Sequence, residues 1–278
     1  ETCGAERRVR AHPDDQLPVG LDVALLPGAG TCVGLGAGAE GMDEALLQRA
    51  RTLPARVGEA VHRLGLWQPG ERVVLAVSGG LDSTVMMEVM AELGGLGAQL
   101  EVASIDHGLR PESVAEVAQV GRRARELGLP FHALELQLAS GPNLQARARE
   151  ARRGVLLALG ADRIATAHHE DDQAETVLQH LLRGGGMSGL RGMRAHAGAW
   201  VRPLLREPRA VLQAWAELRG LRWFEDPTNE GSQRGRLRDL MPSLDGIHGG
   251  ASGALARSAR LLAREDALVA ELADGAWS

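Results

Sequence analysis

The chain has 278 residues, of which 44% are hydrophobic and 24% charged, with a formal net charge of −5. That length buries a sizeable core, as one large domain or two modest ones, and the acidic balance excludes a generally basic nucleic-acid-binding surface. No lysine occurs anywhere, which removes Walker-type phosphate loops, protein kinases and Schiff-base enzymes, because each depends on that side chain.

Residues 1–41 are broken by Gly28-Ala29-Gly30 and by Gly34, Gly36 and Gly38, and they show neither a helical nor a strand period. A disordered leader is expected there, with a helix opening after Met42 on the acidic turn Asp43-Glu44. Cys3 and Cys32 are the only cysteines, so neither a disulfide framework nor a Cys-x-x-Cys metal site is available. No run of eighteen apolar residues and no secretory signal is present, so a soluble, cytoplasmic protein with no membrane segment is expected.

From Arg72 onward, strands and helices alternate. Val73-Val74-Leu75-Ala76-Val77 reads as a buried parallel strand and 83–93 as a helix. Strands follow at 100–105, 131–136 and 163–167, and helices at 113–127, 143–159 and 172–182. The segment 200–205 reads as a fifth strand, and Pro208 suits the first turn of a helix ending near Leu218. The pattern is a doubly wound α/β fold with a mainly parallel sheet. It divides into a catalytic domain over 42–225 and a helical extension over 226–278, where strand signals stop and 251–273 reads as a helix.

Chemistry concentrates at the carboxyl ends of these strands, where ligands sit in open α/β sheets. The first strand runs into Ser78-Gly79-Gly80-Leu81-Asp82-Ser83. Paired glycines bring backbone N–H groups close to phosphate, and the helix that follows favours anions. A carboxylate in an anion site repels its ligand unless a divalent cation lies between, so Asp82 reads as a Mg²⁺ ligand. His168, His169, Asp171 and Asp172 follow another strand and open another helix, and four such groups exceed what helix capping needs. Arg147 and Arg149 lie on a predicted helix, either as a solvated face or as contacts to an RNA backbone. Asp106 and His107 end the second strand, as an ordinary turn or as contacts to a nucleotide.

The hexapeptide 78–83 resembles the S-G-G-x-D-S signature of the PP-loop ATP-pyrophosphatase superfamily. Asp106-His107-Gly108-Leu109-Arg110-Pro111-Glu112-Ser113, Asn143-Leu144-Gln145-Ala146-Arg147-Ala148-Arg149 and His168-His169-Glu170-Asp171-Asp172-Gln173-Ala174-Glu175-Thr176 are similar to blocks of the tRNA(Ile)-lysidine synthetases. Arg202-Pro203-Leu204-Leu205 and Asp226-Pro227-Thr228-Asn229 continue that family's order. The resemblance implies ATP-dependent ligation of free L-lysine to C2 of the wobble cytidine of tRNA(Ile) with a CAU anticodon, with release of AMP and pyrophosphate. It implies ATP on Ser78, Gly79, Gly80, Leu81, Asp82, Ser83, Asp106 and His107, and Mg²⁺ on Asp82 and Asp171. Asp82, Asp172 and His168 are then the expected catalytic groups, with Asp171, Asp172, Arg147, Arg149, Arg234 and Arg236 on the substrates. Gly235 stands where that family usually has Asn, which weakens the reading of Arg234, Arg236 and Arg238 as phosphate-gripping groups. An oligomer is left open. Competing readings are a PP-loop tRNA thiolase, which the cysteine-free core disfavours, an amidotransferase-type ATP-pyrophosphatase, and a non-catalytic RNA-binding module of the same fold.

Overall fold

A computed structural model describes residues 32–33, 42–106, 112–136, 144–224 and 233–276. Apart from the strand β1 (Cys32–Val33), the expected leader lies outside these residues, as do His107 and the side chain of Arg234. In chain order there follow α1 (Glu44–Arg51), α2 (Leu53–Leu64), β2 (Arg72–Ala76), α3 (Leu81–Glu92), β3 (Gln99–Asp106), α4 (Glu112–Glu126), β4 (Phe131–Glu135) and α5 (Leu144–Leu157). The second half comprises β5 (Arg163–Ala165), α6 (Glu170–Leu182), α7 (Met187–Leu190), β6 (His196–Ala197), β7 (Trp200–Val201), α8 (Arg209–Leu218), β8 (Trp223–Phe224), α9 (Gln233–Ile247) and α10 (Ala251–Ala276).

The main sheet has the order β4-β3-β2-β5-β7-β6, parallel throughout except for the β6–β7 hairpin. β2 lies in the interior of this sheet, so both of its faces are covered, as its unbroken Val-Val-Leu run requires. Successive side chains point to opposite faces. Val73, Leu75 and Val77 join Met86 and Met90 of α3 and Leu212 and Trp215 of α8 on one side. Val74 joins Ala103, Ile164, Leu156 of α5 and Trp200 on the other. Every residue of α3 from Ser83 to Met90 is buried, which explains why its sequence is apolar on all sides.

The strand expected at 200–205 stops at Val201, because Pro203 has no N–H to give a ladder and the chain turns there, Leu205 N–H bonding back to the Arg202 carbonyl. Pro208 is extended at φ −63°, ψ 142° and caps α8 from outside its first turn. The region expected as a helical extension, 226–278, contains two helices among its described residues, α9 and α10. Ala174 and Leu178 of α6, Met241 and Leu244 of α9, and Ala251 and Leu255 of α10 form one apolar cluster that seats the C-terminal helices on α6. Among the described residues no helix is long and apolar enough to cross a membrane.

Candidate active site

The loop between β2 and α3 closes on itself. Ser78 N–H donates to Ser83 Oγ at 3.1 Å, and that hydroxyl donates to the Gly80 carbonyl at 3.0 Å. Gly79 adopts φ 86°, and a Cβ there would lie 3.2 Å from Phe224 Cδ2 and 3.4 Å from Val120 Cγ2. Only glycine combines that backbone with that clearance. Phe224 N–H donates to the Gly79 carbonyl at 2.9 Å, so β8 pins the loop from the side.

A cleft of about 610 Å³ opens over the loop, lined by Ser78, Gly80, Leu81, Asp82 and Ser83 together with His168, His169, Asp172, Arg209 and Arg238, and walled by Trp223 and Phe224. The topology explains the convergence. β2 and β5 are parallel neighbours, so the loop after each emerges at the same edge of the sheet.

His169 is the hub of this arrangement, although its sequence gave no role beyond membership of its block. It is 2% exposed. Its Nε2 lies 3.6 Å from Asp82 Oδ2 and 3.5 Å from Asp172 Oδ2, while its Nδ1 lies 3.5 Å from Asp171 Oδ2. Burial disfavours the imidazolium, yet the carboxylates of Asp171, Asp82 and Asp172 outweigh burial and lift its pKa to about 10. At neutral pH His169 is therefore a buried cation shared by three carboxylates. Burial alone would raise Asp82, but His169, Arg209 and Arg238 together hold it below the usual carboxylate range.

Asp171 and Asp172 separate in function although they are adjacent. Asp171 Oδ2 accepts the backbone N–H of Arg209 at 2.8 Å and, with the bond from Glu170 N–H to the Glu207 carbonyl at 2.9 Å, stitches the start of α6 to the start of α8. It does not line the cleft. Asp172 does, and its Oδ2 also accepts the His169 N–H at 3.1 Å, closing the first turn of α6. His168 faces the cleft with its Nδ1 2.9 Å from Thr166 Oγ1.

The remaining predicted residues divide likewise. Asp106 ends β3, takes a hydrogen bond from the Ser113 hydroxyl, and does not line the cleft. Arg147 and Arg236 are exposed and away from it. Arg149 lines a second pocket of about 330 Å³ that shares Ala76, Ser78, Arg152, Thr166 and His168 with the cleft. Arg238, three positions from a family residue that Gly235 replaces, reaches the cleft while its Nε donates to Glu175 Oε1 at 2.8 Å; Glu175 is 1% exposed. Arg209 is the cleft cation that the motifs did not reveal, its Nε 3.7 Å from Asp82 Oδ1. Its sequence signals are its place at a helix start just after Pro208 and its membership of the arginine-rich stretch from Arg183 to Arg238.

Asp82 Oδ1 is buried without a hydrogen-bond partner among the described residues. No group of three or more His, Cys, Asp and Glu among them is spaced to enclose a metal. Two carboxylates beside a phosphate loop, one with a buried oxygen that accepts no hydrogen bond, fit a Mg²⁺ that keeps several waters and takes its other ligands from phosphates. They do not fit a closed structural metal site.

A parallel sheet whose central strand delivers a self-closed glycine loop, with carboxylates and guanidinium groups gathered above it, defines a PP-loop protein, a class that uses ATP. The model of the PP-loop domain matches residues 51–244. The tRNA(Ile)-lysidine synthase of Novosphingobium aromaticivorans is 41% identical over 227 residues, 76% of this chain and 68% of that protein. That of Methylobacterium nodulans is 45% identical over 235 residues, 78% of this chain and 68% of that one. The chain belongs to the tRNA(Ile)-lysidine synthase family. It spans about two thirds of the length of these two relatives, and 48% of the one from Geobacter sulfurreducens, which is 38% identical over 227 residues. Among solved structures, the U34-tRNA thiolase NcsA from Methanococcus maripaludis aligns with a TM-score of 0.64 at 20% identity, covering 79% of this chain and 80% of that one. At that identity the likeness is one of fold.

Proposed function

We propose that this protein is a cytoplasmic ligase that uses ATP to join free L-lysine to C2 of the wobble cytidine of tRNA(Ile) carrying a CAU anticodon. The observation that carries this reading is the single cleft in which the PP loop, Asp82, His168, Asp172 and Arg238 face one another, in a chain whose relatives bear that enzyme's name.

The residues suggest two steps. In the first, the cytosine C2 oxygen attacks the α-phosphorus of ATP and pyrophosphate leaves. The loop N–H groups and hydroxyls bind the phosphates, and Arg238, held in place by Glu175, offers a cation to the charge that develops. Mg²⁺ held by Asp82 and Asp172 would supply charge neutralisation for the departing pyrophosphate. In the second step an amine of lysine attacks C2, the C2–O bond breaks and AMP leaves. Asp172 orients that amine, and His168 stands at the junction of the two pockets to take or relay its proton. His169 fixes the positions of Asp82 and Asp172 and needs no contact with substrate. Arg149 and Arg147 are the proposed contacts to the RNA.

Pyrophosphate release in the presence of ATP and Mg²⁺ tests the reading. Release that requires both tRNA(Ile) and lysine supports it, whereas turnover that needs neither would overturn it. Asp82→Asn is expected to abolish release and to leave RNA binding nearly unchanged, read by anisotropy of a labelled anticodon stem-loop. If the variant kept its activity, the assignment of Asp82 would be wrong.

A further inference from the structure

Away from the two pockets, the first half of α10 carries charge that its packing does not use. Ala256 and Ala259 are fully buried and set the inner face of the helix. Arg257, Arg260 and Arg264 are three and four residues apart, so they form one stripe along its outer flank. Arg257 and Arg264 are exposed, and Arg260 is half-buried, 3.8 Å from Glu170 Oε2. Neighbouring elements add to this charge instead of balancing it. Burial and, after it, Arg63 of α2, Arg260 and Arg264 hold the Arg206 guanidinium below the usual arginine value, with Glu59 opposing them. Glu59 itself lies 3.6 Å from Arg63 on the same helix. Burial lifts the Glu170 carboxyl above its ordinary value, while Arg260, Arg49 of α1 and Arg257 draw it down. Six guanidiniums from four parts of the fold thus share one surface with Glu59 and Glu170. Arg49, Arg206, Arg257 and Arg264 form no ion pair among the described residues. Like charges at these helical spacings repel one another, and a chain of net charge −5 has carboxylates to spare for neutralising them.

We infer that this face, built on the arginine stripe of α10 with Arg206 and Arg63 beside it, grips the sugar–phosphate backbone of the tRNA outside its anticodon loop. This inference rests on the tRNA reading above and names a surface for that partner. The stripe runs about 10 Å along the helix, and Arg206, Arg63 and Arg49 extend it across three further elements. One free phosphate does not need such a spread, whereas an RNA strand presents a phosphate at every nucleotide. Planar guanidinium forks match phosphate oxygens, and a local excess of cations on an acidic chain steers a polyanion to that face. Glu170, at the centre of the cations, sits between His169 and Asp171, so RNA held here lies against the same turn of α6 that brings His168 and Asp172 to the cleft. Exposed Leu261, Leu268 and Leu272 run alongside the stripe and beyond it. A second copy seated on them by a two-fold contact would set arginine against arginine, so charge selects RNA.

The test uses the full chain with Arg257→Gln, Arg264→Gln and the pair together, beside Arg125→Gln of α4, another exposed arginine, as a control for net charge alone. Arg206 is spared because it is half-buried. Labelled tRNA(Ile) and an unrelated tRNA are titrated by anisotropy at several salt concentrations. Each single change is expected to weaken binding about fivefold and to reduce the salt slope by about 1. The loss is the same for both RNAs, because phosphate contacts carry no sequence information. In turnover the KM for tRNA rises, while kcat and the KM for ATP hold. Unchanged RNA affinity in the paired variant would overturn the inference, as would an equal loss in Arg125→Gln. A wild-type dimer, seen by sedimentation, that dissociates in the pair while RNA affinity holds would also overturn it and assign the face to a second copy. Lysine-dependent pyrophosphate release tests the enzyme reading separately. If release occurs and the variants bind RNA normally, only this face falls; if RNA binding depends on the stripe and no such release occurs, only the ligase reading falls. A wild-type chain that binds no tRNA would overturn both.

Discussion

At the scale of single residues the site is organised by an internal cation. His169 stands within 3.6 Å of three carboxylates while almost wholly buried, so its removal leaves those carboxylates to repel one another. His169→Gln keeps the size and a hydrogen-bond donor but loses the charge. It is expected to destabilise the fold by about 3–5 kcal/mol, as breaking a buried ionic network does, measured as a lowered midpoint in urea. A change below about 0.5 kcal/mol would show that Asp82, Asp171 and Asp172 find other partners. Sequence made Asp82 and the loop serines legible because their spacing within one hexapeptide carries its own chemistry. It left the division of labour between Asp171 and Asp172 unread, because that depends on the backbone of Arg209 approaching from α8. Arg209 itself was hidden for the same reason.

At the scale of elements the alternation of strands and helices was readable, since β2 carries a continuous apolar run that only a sheet covered on both faces can bury, and β3 to β5 place shorter apolar stretches between the helical segments. α9 was not, because Gly235, Pro242 and Gly246 interrupt its helical pattern and packing on α6 supplies what propensity lacks. The strands are also tied across the sheet by charge. Glu101 of β3 accepts Arg72 Nε of β2 at 2.9 Å and lies 2.7 Å from His132 Nε2 of β4. The Arg72 guanidinium is the largest influence on Glu101 and, with His132, holds its carboxyl below the ordinary value of 4.5 despite partial burial. A lowered folded-state pKa means that the unfolded chain binds the proton first. The stabilisation is therefore fully present above about pH 4.5 and is lost as pH falls through the folded value. Glu101→Gln is expected to cost stability at neutral pH and to converge with the wild type in acid, as followed by urea unfolding across pH. Parallel curves would mean that the pair contributes nothing that titrates.

At the scale of the whole molecule, the C-terminal helices belong to the machinery they flank. α10 packs on α6, and α6 carries His169 as its cap and Asp172 in its first turn. Arg260–Glu170 ties α10 to the start of α6, and Arg191–Asp266 ties it to the end of α7. Deleting 251–276 would uncover Ala174, Met241 and Leu178, so the shortened chain is expected to melt at lower temperature and to lose ATP turnover with it. Thermal unfolding beside a turnover assay checks this, and full activity with an unchanged melting temperature would mean that α10 is independent of the site. The overall charge of −5 conceals the asymmetry that matters, since cations gather around two adjoining pockets.

Those pockets have Ser78, Arg152, Thr166 and His168 in common, and two ligands that press on the same side chains cannot bind independently. Whatever factor one applies to the affinity of the other must be returned in equal measure, because the free energy of the doubly loaded state does not depend on the order of arrival. The partition between the pockets is thus a thermodynamic coupler, whose sign can be read by titrating either ligand with the other already at saturation.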